Sequence, residues 1–166
     1  LGARSGLLSG DRIVKINGAE TTDILDFQVQ SAEEILCFEI ERESEVYEVE
    51  IERCFGESFG LEFEDLRLRS CNNKCVFCFI HQMPSGLRKS LYFEDDDFRL
   101  SFLHGSYVTL TNVKDRDISR IVDQGLTPQY ISVHATEADV RLRMLGRKKA
   151  TVDILDRIKT LAEGGI

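Results

Sequence analysis

The chain has 166 residues, 42% apolar and 30% charged, with a formal net charge of −8, the balance of a soluble globular protein with room for one sizeable core or two small ones. Its longest uninterrupted apolar run, residues 75–80, falls far short of the roughly 20 residues that cross a bilayer. No signal peptide opens it, and its acidity argues against phosphate-driven binding of nucleic acid. A cytoplasmic protein with no membrane partner is therefore expected. Residues 1–69 carry 17 acidic and 7 basic side chains (net −10) and residues 70–166 carry 12 and 14 (net +2), which predicts two units. The chain starts at Leu1 and ends at Ile166, after a glycine pair where another strand is due, so it reads as a fragment. Of its five cysteines, three fall within eight residues; without a secretion signal this points to metal binding rather than a disulfide framework. Cys37 and Cys54, in or after strand-like runs, are read as structural.

Residues 6–18 (GLLSGDRIVKING) read as a turn, a strand over 12–16 and an Asn17-Gly18 turn whose residues tolerate positive φ. A helix over 23–31 follows, with Asp23 as N-cap. Next come two alternating runs: Leu36, Phe38, Ile40 and then Tyr47, Val49, Ile51. Each is apolar on one face and mostly Glu on the other, which predicts a half-exposed antiparallel hairpin turning across residues 43–45. Gly6-Leu7, Gly10-Asp11-Arg12-Ile13 and Ile16-Asn17-Gly18, in that order, resemble a PDZ domain of the bacterial kind. The resemblance implies capture of a protein's C-terminal tail by strand addition, with the usual first strand and carboxylate loop falling before Leu1. Phe59-Gly60-Leu61-Glu62-Phe63 is read as a short glycine-containing strand.

The segment richest in chemistry is Cys71-Asn72-Asn73-Lys74-Cys75-Val76-Phe77-Cys78, after an expected strand over 66–70. Three thiolates at this spacing on one loop supply ligands for three irons of a [4Fe-4S] cluster and leave the fourth iron open. The pattern resembles that of radical S-adenosylmethionine (SAM) enzymes, in which an aromatic residue directly precedes the third cysteine, as Phe77 does here. What the resemblance implies is SAM on the open iron, electron transfer to its sulfonium and a 5′-deoxyadenosyl radical. The alternative is a closed Cys₃His zinc site of Cys71, Cys75, Cys78 and His81. The loop's place at the head of βα units favours the cluster.

Asp95, Asp96 and Asp97 offer either hard-cation ligands or, more simply, an N-cap to a helix starting near Phe98. From residue 107 the pattern alternates: a strand over 107–111, a helix over 115–124 stopped by Gly125, a strand over 130–134, and a helix from 136 stopped by Gly146. A last helix opens at Thr151 as N-cap and presents Val152, Leu155, Ile158, Leu161 and Ala162 to a core. Repeated βα units predict a parallel, barrel-like sheet with its site at the strand C-termini. That geometry nominates Thr109, Thr111 and Asn112 on one strand and Ser132 and His134 on the next for cofactor binding, although Asn112 also suits a helix N-cap. Radical SAM enzymes commonly carry Gly-Gly-Glu where this chain has Thr109-Leu110-Thr111-Asn112, and Ser132-Val133-His134-Ala135 resembles a third-strand sequence of several such families. Arg147-Lys148-Lys149 reads first as a solvated loop between two helices, with contact to an anionic substrate group as the alternative.

The order of the PDZ-like opening, CNNKCVFCFIHQMPSGLRKSLYFEDDDFRLSFLHGSYVTLTN and ISVHATEADVRLRMLG resembles an uncharacterised bacterial family of PDZ-containing radical-SAM-like iron-sulfur proteins. It implies an α/β architecture: a PDZ-like domain over 1–55, connecting strands over 56–69 and a partial radical SAM (β/α) barrel of the TIM type over 70–166. It also implies a [4Fe-4S] cluster, SAM, an oxidoreductase-type chemistry and an electron donor such as flavodoxin or ferredoxin. His81 stands where the family has an acidic residue. The binding-module alternative keeps the PDZ-like part and gives the cysteines a structural zinc.

Overall fold

The computed structural model describes residues 1–54, 56–149 and 152–166; the expected N-cap Thr151 and the boundary residue Phe55 lie outside the described residues. Two compact units are present, Leu1–Arg67 and Leu68–Ile166. Among the described residues no helix is long and apolar enough to cross a membrane.

The first unit is a four-stranded antiparallel sheet of β1 (Arg12–Ile16), β2 (Ala19–Glu20), β3 (Ile35–Arg42) and β4 (Glu45–Glu52) in the order β2-β1-β3-β4, with helix α1 (Ile24–Gln30) after β2. Its local signals act as expected. Asn17 (φ 50) and Gly18 (φ 79) make the β1–β2 turn, and Asn17 is tied to β3 because its Oδ1 accepts the Cys37 N–H at 2.8 Å. Glu43 (φ 51) and Ser44 (φ 69) form the two-residue turn between β3 and β4, the left-handed pair that matches strand twist. Asp23 caps α1, its Oδ1 accepting the Leu25 N–H at 3.0 Å. Alternation along β3 buries Leu36, Phe38 and Ile40 completely, and with Ile16, Ile51, Phe27 and Phe59 they make the core. The residues around Gly60 (φ 65) are not a strand. Phe59 packs into the core while its carbonyl accepts the Gly2 N–H at 2.9 Å, so its polar group is met by the N-terminal 3-10 turn rather than by a sheet edge.

The second unit carries α2 (Phe98–His104), α3 (Asp115–Asp123), α4 (Ala138–Met144) and α5 (Ile154–Glu163). The expected parallel barrel is not present among its described residues. Residues 108 and 131 meet in one isolated parallel bridge, with Val108 N–H donating to Tyr130 O at 2.9 Å and Ser132 N–H to Val108 O at 2.8 Å. Pairing stops there because Leu110 (φ 58) and His134 (φ 63) leave extended geometry, and the Thr109 N–H goes to the Asp96 side chain at 2.7 Å. The segment before the cysteines also differs from expectation: Ser70 pairs with Asp95, and the bridge is antiparallel.

The helices follow their caps. Asp97 Oδ1 accepts the Arg99 N–H at 3.0 Å at the start of α2. In α3, Ile118 and Ile121 are buried and Asp117 accepts the Lys114 N–H at 2.8 Å, while Arg69 grips the same carboxylate at 2.8 and 2.9 Å. The N-cap of α5 is Asp153, whose Oδ1 accepts the Leu155 N–H at 2.7 Å. This start turns Ile154, Arg157 and Leu161 inward and leaves Val152 and Leu155 exposed, so Leu161 of the expected stripe is buried while Val152 and Leu155 are not. Arg157 joins α5 to α3 through Asp115 at 2.7 Å.

Candidate functional site

The cysteine loop is held by neighbours rather than by its sulfurs. Cys71 N–H donates to Glu94 O at 2.7 Å, Lys74 N–H to Leu145 O at 2.9 Å and Val76 N–H to Met144 O at 3.0 Å. Gly146, with φ +61, lies so close beneath the loop that a Cβ there would stand 2.1 Å from Lys74 O. Arg147 Nη1 donates to Asn72 Oδ1 at 2.6 Å and to Asn73 Oδ1 at 2.9 Å. Residues 144–147 thus bracket the loop, and Arg147, expected as solvated, is one jaw of that bracket.

A chain of polar side chains leads from the interior to the first sulfur. Asp96, only 1% exposed, accepts from Thr109 N–H and Thr109 Oγ1–H, both at 2.7 Å. Thr109 Oγ1 lies 2.9 Å from Thr111 Oγ1, and Thr111 Oγ1 donates to Asn73 Oδ1 at 3.1 Å. Asn73 Nδ2 donates to Thr109 Oγ1 at 3.0 Å and to Cys71 Sγ at 3.4 Å. Burial pushes the Asp96 carboxyl above its ordinary value, with the threonine hydrogen bonds pulling the other way. Burial likewise raises the Cys71 thiol, and the carboxylates of Asp96 and Glu94 add to the rise, against the donors of Asn73.

Cys71, Cys75 and Cys78 are all half-buried free thiols. The Cys75 thiol is raised by burial first and then by the charges of Cys71 and Cys78, so Cys75 lies within electrostatic reach of the other two sulfurs. They do not close on a single ion. Among the described residues, the potential ligand atoms that sit within 4.8 Å of one another are those of Cys78, His81 and Glu94, so the alternative Cys₃His set is not gathered: His81 turns to Glu94, 2.9 Å from its Oε1.

Of the strand residues nominated from sequence, Thr109 and Thr111 belong to the polar chain and reach Cys71 only through Asn73. Asn112 is not a helix cap, since α3 is capped from Lys114. Its Nδ2 donates to Asp96 O at 2.9 Å, and its Oδ1, like Asp95 Oδ2, is buried without a partner. Ser132 takes part through its backbone. The His134 ring lies 4.4 Å from the Phe77 ring, centroid to centroid, and burial, then the Arg141 charge, lowers its pKa. Cys37 is half-buried and Cys54 exposed; both belong to the first unit.

Asn73, Glu94 and Arg141 were not singled out by sequence reasoning, and Asp96 and Arg147 were given other roles, a cation ligand or cap and a solvated loop. The signal for Asp96 was present: a helix needs one N-cap, and a run of three aspartates leaves two unassigned.

Fold and site define a mixed α/β protein whose second unit presents a braced three-cysteine loop. Residues 53–166, more than half of the chain, match the family described as the radical SAM-like domain, and the chain belongs to that family. The match starts within the first unit and contains every residue of the site. No curated protein and no solved structure matches the chain.

Proposed function

We propose that Cys71, Cys75 and Cys78 hold a [4Fe-4S] cluster with one iron left for SAM, and that the chain is part of a radical SAM enzyme. The observation that carries this reading is the loop itself: three half-buried thiols on a backbone fixed by other groups, with a spread wider than one ion allows. Around a single tetrahedral zinc, with Zn–S about 2.3 Å, ligand sulfurs stand only about 3.8 Å apart; a cube of four irons holds them farther apart. Bound there, the cluster would supply an electron to the sulfonium of SAM, giving a 5′-deoxyadenosyl radical that takes hydrogen from substrate.

The chain's own residues would hold this group and its partner. The bracket of residues 144–147 keeps the loop open before loading, and Asn73 offers a donor to Cys71 Sγ, which favours the thiolate over the thiol. The orphaned acceptors Asn112 Oδ1 and Asp95 Oδ2 suit the ammonium of SAM, since a buried acceptor without a donor costs about 1–3 kcal/mol. Phe77 and His134 form an exposed aromatic pair next to the third cysteine, a surface on which a cofactor ring can stack. Thr109, Thr111 and Ser132 position these groups. Reduction by flavodoxin or ferredoxin and tail capture by a PDZ-like first unit complete the proposal.

Anaerobic reconstitution with iron and sulfide tests it. About four irons per chain, an EPR signal that changes on adding SAM, and loss of both in Cys75→Ala are expected. A single tightly held zinc with no response to SAM would overturn the reading.

A further inference from the structure

We infer that Cys78, His81 and Glu94 form a second, single-ion site, which takes a thiophilic divalent cation such as zinc when the cluster is absent and thereby excludes the cluster. The inference deepens the reading above, because Cys78 is common to both sites.

The three ligand atoms already lie within 4.8 Å of one another. Tetrahedral zinc, with Zn–S about 2.3 Å and Zn–N or Zn–O about 2.0–2.2 Å, asks for ligand separations of about 3.3–3.5 Å. His81 Nε2 and Glu94 Oε1, at 2.9 Å, need to part slightly and Cys78 Sγ, no more than 4.8 Å from either, to approach by at most about 1.3 Å, a side-chain movement. The backbone that carries them is in place. Cys78 N–H closes a turn on Cys75 O at 3.1 Å, and Gln82 N–H closes the next on Phe79 O at 3.2 Å, which brings His81 back over Cys78. Glu94 is fixed from the other side by its carbonyl, which accepts the Cys71 N–H at 2.7 Å. One sulfur, one nitrogen and one carboxylate oxygen make a three-ligand set of the kind that leaves a fourth position to water. The side chains of His81 and Glu94 are 46% and 31% exposed, which gives the ion a path and that water a place. Binding displaces the Cys78 thiol proton and replaces the His81–Glu94 hydrogen bond with two metal bonds. The sulfur is then no longer available to a cube.

The test uses the metal-free full chain under anaerobic conditions, with cobalt(II) as spectroscopic probe and zinc as competitor. One cobalt per chain is expected, with a thiolate charge-transfer band and the visible bands of tetrahedral geometry, both removed by zinc. His81→Ala and Glu94→Gln should each weaken cobalt binding more than about tenfold, while Cys71→Ala leaves it unchanged. Zinc added first should slow iron-sulfur loading of the parent chain and leave loading of His81→Ala unaffected. The inference fails if cobalt does not bind, if Cys71→Ala or Cys75→Ala removes the cobalt bands while His81→Ala keeps them, or if His81→Ala loses the cluster, which would make His81 a cluster ligand. Failure of the cluster itself is read separately, because iron loading and the cobalt spectrum are independent measurements. Circular dichroism of each variant confirms that these partly exposed substitutions leave the fold intact.

Discussion

Replacing Gly146 by alanine tests whether the loop is held by the α4 end. Two costs arise. At φ +61 a residue with a Cβ is in the left-handed region, at about 1–2 kcal/mol. The new Cβ also stands 2.1 Å from Lys74 O and 2.8 Å from Lys74 C. Both are backbone atoms, so no rotamer change relieves the contact. To reach even a tight 3.0 Å the Lys74 carbonyl must retreat by about 0.9 Å, which breaks the Lys74 N–H to Leu145 O and Val76 N–H to Met144 O bonds, about 1 kcal/mol each. The expected loss is about 3–4 kcal/mol in all. Gly125→Ala is the matched control: φ is +59 and nothing lies within 4 Å of its Cβ, so it loses only the first part, about 1–2 kcal/mol. Urea unfolding followed by far-UV circular dichroism, with anaerobic iron loading of both variants, reads the difference. If Gly146→Ala and Gly125→Ala unfold at one midpoint and load equal iron, the bracket does not hold the loop.

Asp96→Asn replaces an acceptor facing Thr109 N–H and Oγ1–H by a mixed donor and acceptor, and should destabilise the chain by about 1–3 kcal/mol in urea; an unchanged midpoint would refute the polar chain. The Asp117 carboxyl is pushed up by burial but pulled lower overall by Arg69 and the Lys114 N–H. Its contribution is therefore complete above the unfolded value of about 3.9 and is lost as pH falls through the lower folded value. Thermal unfolding of Asp117→Asn should accordingly lose less stability between about pH 4 and pH 2 than the parent does, and parallel curves would contradict the assignment. Phe38→Ala, at a fully buried position, should cost about 3–5 kcal/mol by the same unfolding assay, with a smaller loss showing that Phe27 and Phe59 collapse into the space. Removing all three thiols as Cys71→Ala, Cys75→Ala and Cys78→Ala should leave the circular dichroism spectrum and a cooperative transition, unlike a small zinc module that unfolds without metal.

Local signals made the first unit legible. Alternation sets β3 because every second residue reaches one core, and the Asn17-Gly18 and Asp23 positions act through backbone geometry that neighbours in sequence determine. The second unit followed its helix caps at Asp97, Gly125 and Gly146, again local devices. Its strands were overestimated for a physical reason: residues 107–111 and 130–134 are β-prone, but their backbone groups are claimed by side chains, Thr109 N–H by Asp96 and Tyr130 N–H by Ser101 Oγ at 2.7 Å. Period-2 patterning says nothing about such competition. The cysteine loop stood out in the sequence through the spacing of its three thiols, which suits an iron-sulfur cluster. The roles of Asn73 and Arg147 were not legible, since partners of both lie far off in sequence, as when Arg147 meets Asn72, and that of Arg141 was not, since a guanidinium bound to backbone carbonyls leaves no sequence pattern.

Arg141 shows why the ends of residues 107–111 and 130–134 take an unusual form. Leu110 (φ 58) and His134 (φ 63) occupy a region that glycine fills at lower cost, about 1–2 kcal/mol each for other residues. Each side chain has a reason to be there: Leu110 is buried and His134 meets Phe77. The guanidinium of Arg141, 4% exposed, donates to Thr109 O at 2.7 Å, to Ser132 O at 3.2 Å and to Val133 O. Thr109 and Val133 are the residues directly before the two strained positions, so the charge grips both turns at the peptide that must rotate. Hydrogen bonds to a charged group contribute about 1.5–3 kcal/mol each, enough to offset the strain. The same helix, α4, ends at the bracket beneath the cysteine loop. One seven-residue element therefore steadies the segments of Phe77 and His134 alike, and the 4.4 Å contact of their rings rests on α4 rather than on a sheet.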